Sequence, residues 1–204
     1  MQLKKEITKT YDNIARDYDR EFCKTIYFSE ELDFFLSGLP RNAKLLDAGC
    51  GTGHIAEYCE NKGFDVLGID LSEGMLEIAK ARCKAARFEK KDVENYSYGK
   101  GKFDGIIALF ILIHLKSFEK TLKKFHSALR QGGFLFLGMA KGKGEFFGKE
   151  PLNPEMKMFF KYTTRKEISQ LLEKSGFTIT KFTEKKLETE HEKQTEFFIV
   201  AQKN

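Results

Sequence analysis

Residues Leu45–Cys59 read LLDAGCGTGHIAEYC. A short apolar run enters Asp47 and Ala48, glycines follow at alternate positions (Gly49, Gly51, Gly53), and a helix-compatible stretch begins at once. The pattern predicts a strand, a tight loop and a helix. Without Cβ atoms the loop can turn sharply and let a ligand approach its backbone. The helix start adds N–H donors that have no partner within the helix. A glycine loop alone is a weak signal, but in this setting it predicts a ligand site.

Working outward, Lys44–Ala48, Asp65–Asp70, Ala86–Lys91, Phe103–Leu109 and Phe134–Ala140 read as short strands separated by helical patterns. Such alternation predicts βαβ units on a parallel sheet. Helices are predicted over residues 5–37, from the glycine loop to about Lys62, and over Glu73–Ala85 behind a Ser72 cap. Another is predicted over Leu115–Arg130, where Leu115, Phe118, Leu122, Phe125 and Leu129 form one stripe. Gln131-Gly132-Gly133 ends it. Glycines at 142, 144 and 148 and prolines at 151 and 154 predict an irregular covering loop. A helix capped by Thr164 and strands over 177–183 and 196–201 close the chain. The expected organisation is a single domain, 1–204. It comprises an N-terminal helical cap (1–40), a ligand-binding core (41–140), a substrate-covering loop (141–163) and a C-terminal helix with a strand pair (164–204).

The totals narrow the function classes. With 41% apolar and 32% charged residues the chain reads as folded rather than disordered. Its 35 Lys+Arg against 30 Asp+Glu give a net charge of +5, spread over short basic runs. No basic face is concentrated enough to predict a nucleic-acid partner. Cys23, Cys50, Cys59 and Cys83 form no C-x-x-C pair, so no zinc site or dithiol motif is expected, and no metal cluster is visible. The longest apolar stretch, residues 105–115, is too short to span a bilayer, and no leader pattern is found. A cytoplasmic protein without a membrane partner is expected, as monomer or homodimer.

Asp70 ends the second strand, and a carboxylate there can accept both hydroxyls of a ribose. Its alternative reading is a cap: Asp70 or Ser72 starting the next helix. The loop and the acid fit two ligand classes, a dinucleotide and a nucleoside cofactor without phosphates. Against the first, His54 stands where the dinucleotide fingerprint wants a glycine.

The chain resembles the class I S-adenosylmethionine-dependent methyltransferases. Asp47-x-Gly49-x-Gly51-x-Gly53 is similar to that family's first motif, and Asp70 to its ribose-binding acid. Lys91-Asp92-Val93 is similar to the third motif, and Phe103-Asp104-Gly105-Ile106-Ile107 to the fourth strand. Leu129-Arg130-Gln131-Gly132-Gly133-Phe134-Leu135 is similar to the entry into strand five. Tyr11-Asp12-x-x-Ala15-x-x-Tyr18-Asp19 is similar to a segment of the small-molecule branch. The resemblance runs from about residue 10 to residue 201. Gln131 departs from the usual proline. After strand four the chain lacks the Asn/Asp-Pro-Pro-aromatic motif of enzymes that methylate nucleic-acid amines.

The resemblance implies a Rossmann-like, doubly wound α/β fold. Its sheet would have seven strands, mostly parallel, with an antiparallel C-terminal strand and helices on both faces. It implies S-adenosyl-L-methionine as cofactor and a small-molecule methyl acceptor. Asp47, Gly49, Cys50 and Gly51 would lie along the methionine part and Asp70 at the ribose. Leu71, Met75, Asp92 and Val93 would surround the adenine, and Ala108 and Leu109 would close the pocket. Tyr11 and Tyr18 would cover the sulfonium side, although a spacing of seven also suits a buried helix stripe. Tyr11 and His114 are the candidates for a catalytic role. His114 follows strand four with a pKa range suited to proton transfer, and its alternative is a histidine bound to a backbone carbonyl. Competing readings are an oxidoreductase, a cofactor-binding module without catalysis, and a methyltransferase of RNA or protein.

Overall fold

The computed structural model describes residues 2–188 and 193–204. In chain order the elements are α1 (Gln2–Phe22), α2 (Ser29–Ser37), β1 (Lys44–Ala48), α3 (His54–Asn61), β2 (Asp65–Asp70), α4 (Glu73–Arg82), β3 (Arg87–Lys90) and β4 (Phe103–Leu109). A single 3₁₀ turn (Leu112–His114) follows. The rest are α5 (Phe118–Ala128), β5 (Leu129–Ala140), β6 (Gly144–Glu150), β7 (Asn153–Tyr162), α6 (Arg165–Lys174), β8 (Phe177–Glu188) and β9 (Lys193–Lys203).

Seven strands form one sheet in the order β3-β2-β1-β4-β5-β9-β8. β1 pairs in parallel with both β2 and β4, and β5 with β4. β9 runs antiparallel between β5 and β8. The sheet is thus Rossmann-like, doubly wound and mostly parallel. The chain order reverses between β1 and β4, and ligands of such sheets bind in the crevice beyond the carboxyl ends of the strands at that point.

Period-two alternation assigns side chains to two cores. Leu46, Ile106, Leu135, Leu137, Phe197 and Ile199 face α5 and α6. Leu45, Ile107, Phe136, Phe198 and Val200 face α2 and α3. Phe136 is the centre of the second core: its ring stacks on Phe35 at 5.7 Å and leans on Phe28 and Phe198.

Several boundaries differ from the sequence reading. The predicted helix over 5–37 is two helices. Thr25, Ile26 and Tyr27, poor helix formers, lie in the break, and the Tyr27 hydroxyl donates to Glu196. The stripe expected over 115–130 starts its helix at Phe118, behind a Ser117 cap. Leu129 and Arg130 already belong to β5, because Leu129 pairs with Phe103 across a bulge.

The largest correction concerns residues 141–163. In place of an irregular loop, β6 and β7 form an antiparallel hairpin apart from the main sheet. Pro151 fixes φ in the turn, and the Glu150 carboxylate accepts the N–H groups of Leu152 and Asn153, both at 2.7 Å. The turn therefore satisfies its own backbone, and the cross-strand pairs Phe146–Phe160 and Phe147–Phe159 follow in register. The helix expected after Thr164 is present, closed by a full capping box with Glu167.

Removing the central ring tests the core assignment. Phe136→Ala is expected to cost about 3–5 kcal/mol, read as a lowered urea midpoint with an unchanged m-value.

Candidate active site

β1 delivers the chain to the glycine loop at the switch point. The N–H groups of Gly49 and Cys50 both bond the carbonyl of Ile69, at 2.8 and 3.1 Å, locking the loop onto β2. Gly49 has φ +79°, and a Cβ there would lie 2.7 Å from Ile111 Cβ. Gly51 has φ +51° and faces open space, with nothing within 4 Å of where a Cβ would stand. The loop is closed by a side chain at Gly49 and open to a ligand at Gly51.

Asp70 sits where β2 ends. Its Oδ2 accepts from Gly51 N–H at 3.0 Å and its Oδ1 from Ser72 N–H at 2.9 Å. An ionised carboxylate has about four lone-pair positions. The Leu71 N–H is a third backbone donor to it, which leaves a position for a hydroxyl donor in the cleft. Burial raises its pKa above the usual carboxylate range despite those N–H bonds. Asp47 lies deeper, and its Oδ2 is buried without a hydrogen-bond partner among the described residues. Burial, then the neighbouring Asp70, push Asp47 up to about 7.

A cleft with about 100 Å³ of free space opens above these groups. Tyr11, Tyr18, Gly49, Gly51, Asp70, Leu71, Met75, Asp92, Val93, Leu109 and His114 all line it. Three expected contributors do not: Asp47, Ala108 and Cys50. Asp47 is buried, 3% exposed. Ala108 is wholly buried in the sheet core. Cys50 is buried, its Sγ only 3.0 Å from where a Cβ on Gly68 would stand, so it packs on β2. Asp92 lines the cleft but spends most of its acceptors on protein. It takes bonds from Lys4 Nζ, Asn95 Nδ2 and Glu94 N–H. Burial alone would raise Asp92, but those three donors hold it below the usual range.

α1 covers the cleft through Lys4, Ile7, Thr8, Tyr11 and Tyr18. Asp12 fastens it, accepting from Ser72 Oγ at 2.6 Å and Gly74 N–H at 3.0 Å. Lys4, Ile7, Thr8, Phe110 and Ile111 escaped the sequence reading. The signal for the first three was the helical spacing 4, 7, 8, 11 that leads into the tyrosines. Ile111 has none, because its role is to fill the space left by the absent side chain of Gly49.

Tyr11 and His114 are brought together. The Tyr11 hydroxyl is 2.8 Å from His114 Nε2, and His114 Nδ1 is 3.0 Å from the Phe159 carbonyl. A carbonyl oxygen only accepts, so Nδ1 carries the hydrogen and Nε2 the lone pair. The Tyr11 O–H therefore donates to Nε2. Both expectations for His114 hold geometrically: it lies in the cleft, and it bonds a backbone carbonyl. Burial lowers its pKa to about 4, against a stabilising bond to Phe159, so the ring is neutral at pH 7.

The residues fit an S-adenosyl cofactor. The backbone is open at Gly51, Asp70 keeps an acceptor position, and Asp47 is an orphaned buried carboxylate that a cationic group would satisfy. Among the described residues no three His, Cys, Asp or Glu side chains are grouped to hold a metal. No helix among the described residues is long and apolar enough to cross a membrane.

Comparison with known proteins agrees with the geometry. A methyltransferase-domain family model matches residues 15–181. A malonyl-[acyl-carrier protein] O-methyltransferase of Hamiltonella defensa is 26% identical over 176 residues, 82% of this chain and 66% of that protein. An uncharacterized methyltransferase of Oceanobacillus iheyensis is 30% identical over 132 residues, 63% of this chain and 61% of that protein. The chain spans about half to two thirds of the length of the curated relatives it matches. The 1,6-didemethyltoxoflavin-N1-methyltransferase of Burkholderia thailandensis, solved with 1,6-didemethyltoxoflavin and S-adenosylhomocysteine, superposes with a TM-score of 0.78. It is 19% identical and covers all of this chain and 89% of its own. With the family model spanning most of its length, this chain belongs to the class I S-adenosylmethionine-dependent methyltransferases.

Proposed function

We propose that this protein transfers the methyl group of S-adenosylmethionine to a small-molecule acceptor held between α1, the carboxyl end of β4 and the β6–β7 hairpin. The observation that carries this reading is the convergence, in one cleft, of Asp70, its carboxylate aimed by backbone N–H groups, and the Tyr11–His114 pair. When bound, the cofactor supplies a methyl group already activated by a positive sulfur. What is left to the protein is placement, exclusion of water and handling of a proton.

Each group has a part in that work. Asp70 would hold the ribose hydroxyls while its bonds to Gly51 and Ser72 keep its oxygens aimed. Asp47 would face the cationic end of the ligand. Leu71, Met75 and Val93 offer apolar contact at the base. α1 and the hairpin cover the acceptor. His114, neutral and with its lone pair at Nε2, is the group in the cleft placed to take a hydrogen from an acceptor. The named relatives methylate both oxygen and nitrogen, so family membership leaves the acceptor atom open. A catalytically silent cofactor-binding module would not need the Tyr11–His114 arrangement.

Calorimetric titration with S-adenosylmethionine and S-adenosylhomocysteine tests the reading. Saturable binding of both is expected, weakened by about tenfold or more in Asp70→Asn, which keeps the shape but loses a charged acceptor. Absence of binding by the unaltered protein overturns it.

Asp47 gives the binding a pH dependence. A cationic ligand favours the ionised carboxylate, so affinity for S-adenosylmethionine should rise from pH 6 to pH 8, through the free value of about 7. Asp47→Asn should flatten that rise.

Burial of neutral imidazoles gives the fold a second one. His114 and His54 both fall to about 4 from an ordinary 6.5. Between those values the unfolded chain binds more protons, so their contribution is fully present above pH 6.5 and is lost as pH falls toward 4. Asp47, raised from 3.8 to about 7, works in the opposite sense. The readout is therefore a difference: between pH 6.5 and 5 the unaltered protein should lose more urea stability than His114→Gln does.

A further inference from the structure

We propose that the acceptor is an uncharged, flat molecule that donates an O–H or N–H hydrogen bond to His114 Nε2. This rests on the methyl-transfer reading of the same cleft and adds the chemical class of its acceptor.

The cleft is divided by charge. Its charged side chains, Lys4, Asp70, Lys91 and Asp92, belong to the start of α1 and to the ends of β2 and β3. The wall beyond β4 consists of Phe110, Ile111 and His114, faced by Tyr11 and Tyr18 from α1. Among the described residues lining that wall, none carries a formal charge once His114 is neutral. An acceptor that brought a carboxylate would leave water without a cation to meet it. One that brought an ammonium would find no anion. Either burial is strongly unfavourable.

The hydrogen-bonding pattern points the same way. Phe159 fixes the hydrogen on Nδ1, so Nε2 can only accept. Tyr11 donates to it with a phenolic O–H. A ligand that takes the place of that hydroxyl must also be a donor, and a phenol or a ring N–H replaces it like for like. The surrounding rings suit a flat partner: Tyr11 meets Tyr18 edge-on at 6.1 Å, and Phe160 leans on His114 at 5.4 Å. Aromatic groups in such walls prefer offset or edge contacts with another ring. A malonyl group, ending in a carboxylate, falls outside this class.

The test uses four probes of one shape, titrated at pH 6.5 into the whole protein with and without S-adenosylhomocysteine. They are 4-cyanophenol, 4-cyanobenzoate, 4-cyanobenzylamine and 4-methoxybenzonitrile. The phenol is neutral and donates, the next two are charged, and the last is neutral but cannot donate. The phenol is expected to bind at least about tenfold more tightly than each of the others, because a site built around a hydrogen bond rejects analogues that lack it. In His114→Phe the preference for the phenol over the methoxy compound should vanish. In Tyr11→Phe, which frees Nε2 while keeping the ring, it should persist. Equal affinities, tighter binding of the benzoate or the amine, or no binding of any probe overturn the proposal. Failure of S-adenosylhomocysteine itself to bind strikes instead at the methyl-transfer reading.

Discussion

The hydrogen bonds that Asp70 accepts from Gly51 and Ser72 hold the site together. One ties the glycine loop after β1, the other the turn between β2 and α4. The two loops that flank the switch point are thereby set against a single carboxylate. Its oxygens are oriented before any ligand arrives, and bonds from backbone N–H groups to an ionised carboxylate are stronger than those between neutral partners. The loop's own geometry depends on this anchor. The reversed backbone at Gly49 and Gly51 is stable only while its N–H groups have partners, and Ile69 and Asp70 provide them.

α1 is held differently. Among its residues only Thr10, Ile14 and Ala15 are buried. Its attachment runs through polar links: Lys4 to Asp92, Tyr11 to His114, Asp12 to Ser72 and Gly74, and Asp19 to Arg82. Each such contact contributes modestly, on the order of 1 kcal/mol net. The sheet beneath is instead anchored by continuous apolar cores on both faces. The molecule thus combines a rigid floor with a cover secured by a few separable bonds. That arrangement suits an element of low local stability above a binding cleft.

The floor was readable in the sequence because its rules are local. Short apolar runs mark β1, β2, β4 and β5, and the glycines and Asp70 fall at fixed places relative to them. Ser72 and Thr164 cap helices as residue type and position suggest. The cover was less readable because its structure is set by distant partners. Residues 144–162 carry glycines and prolines that mimic a loop, yet Glu150 satisfies the turn and the strands then pair. Ala108 and Cys50 follow the family pattern in sequence but turn into the core, Ala108 because a strand directs alternate side chains to opposite faces and Cys50 because the loop packs its thiol on Gly68 of β2. Ile111 acts through a contact made far along the chain, with Gly49, which no spacing rule announces.

The Tyr11–His114–Phe159 contact joins three stretches of chain that are far apart in sequence: a helix at the start, a turn after β4, and the hairpin. The cofactor half of the cleft is defined mainly by backbone groups and one carboxylate, so few substitutions there leave it intact. The other half is a set of side chains hung on two segments, residues 7–18 and 110–115, that lie outside the strands of the main sheet. Selection can therefore rewrite the second half without disturbing strand register or the loop at Gly49–Gly53. In this architecture a change of chemical preference is a repainting of two movable panels, and the frame that carries them stays as it is.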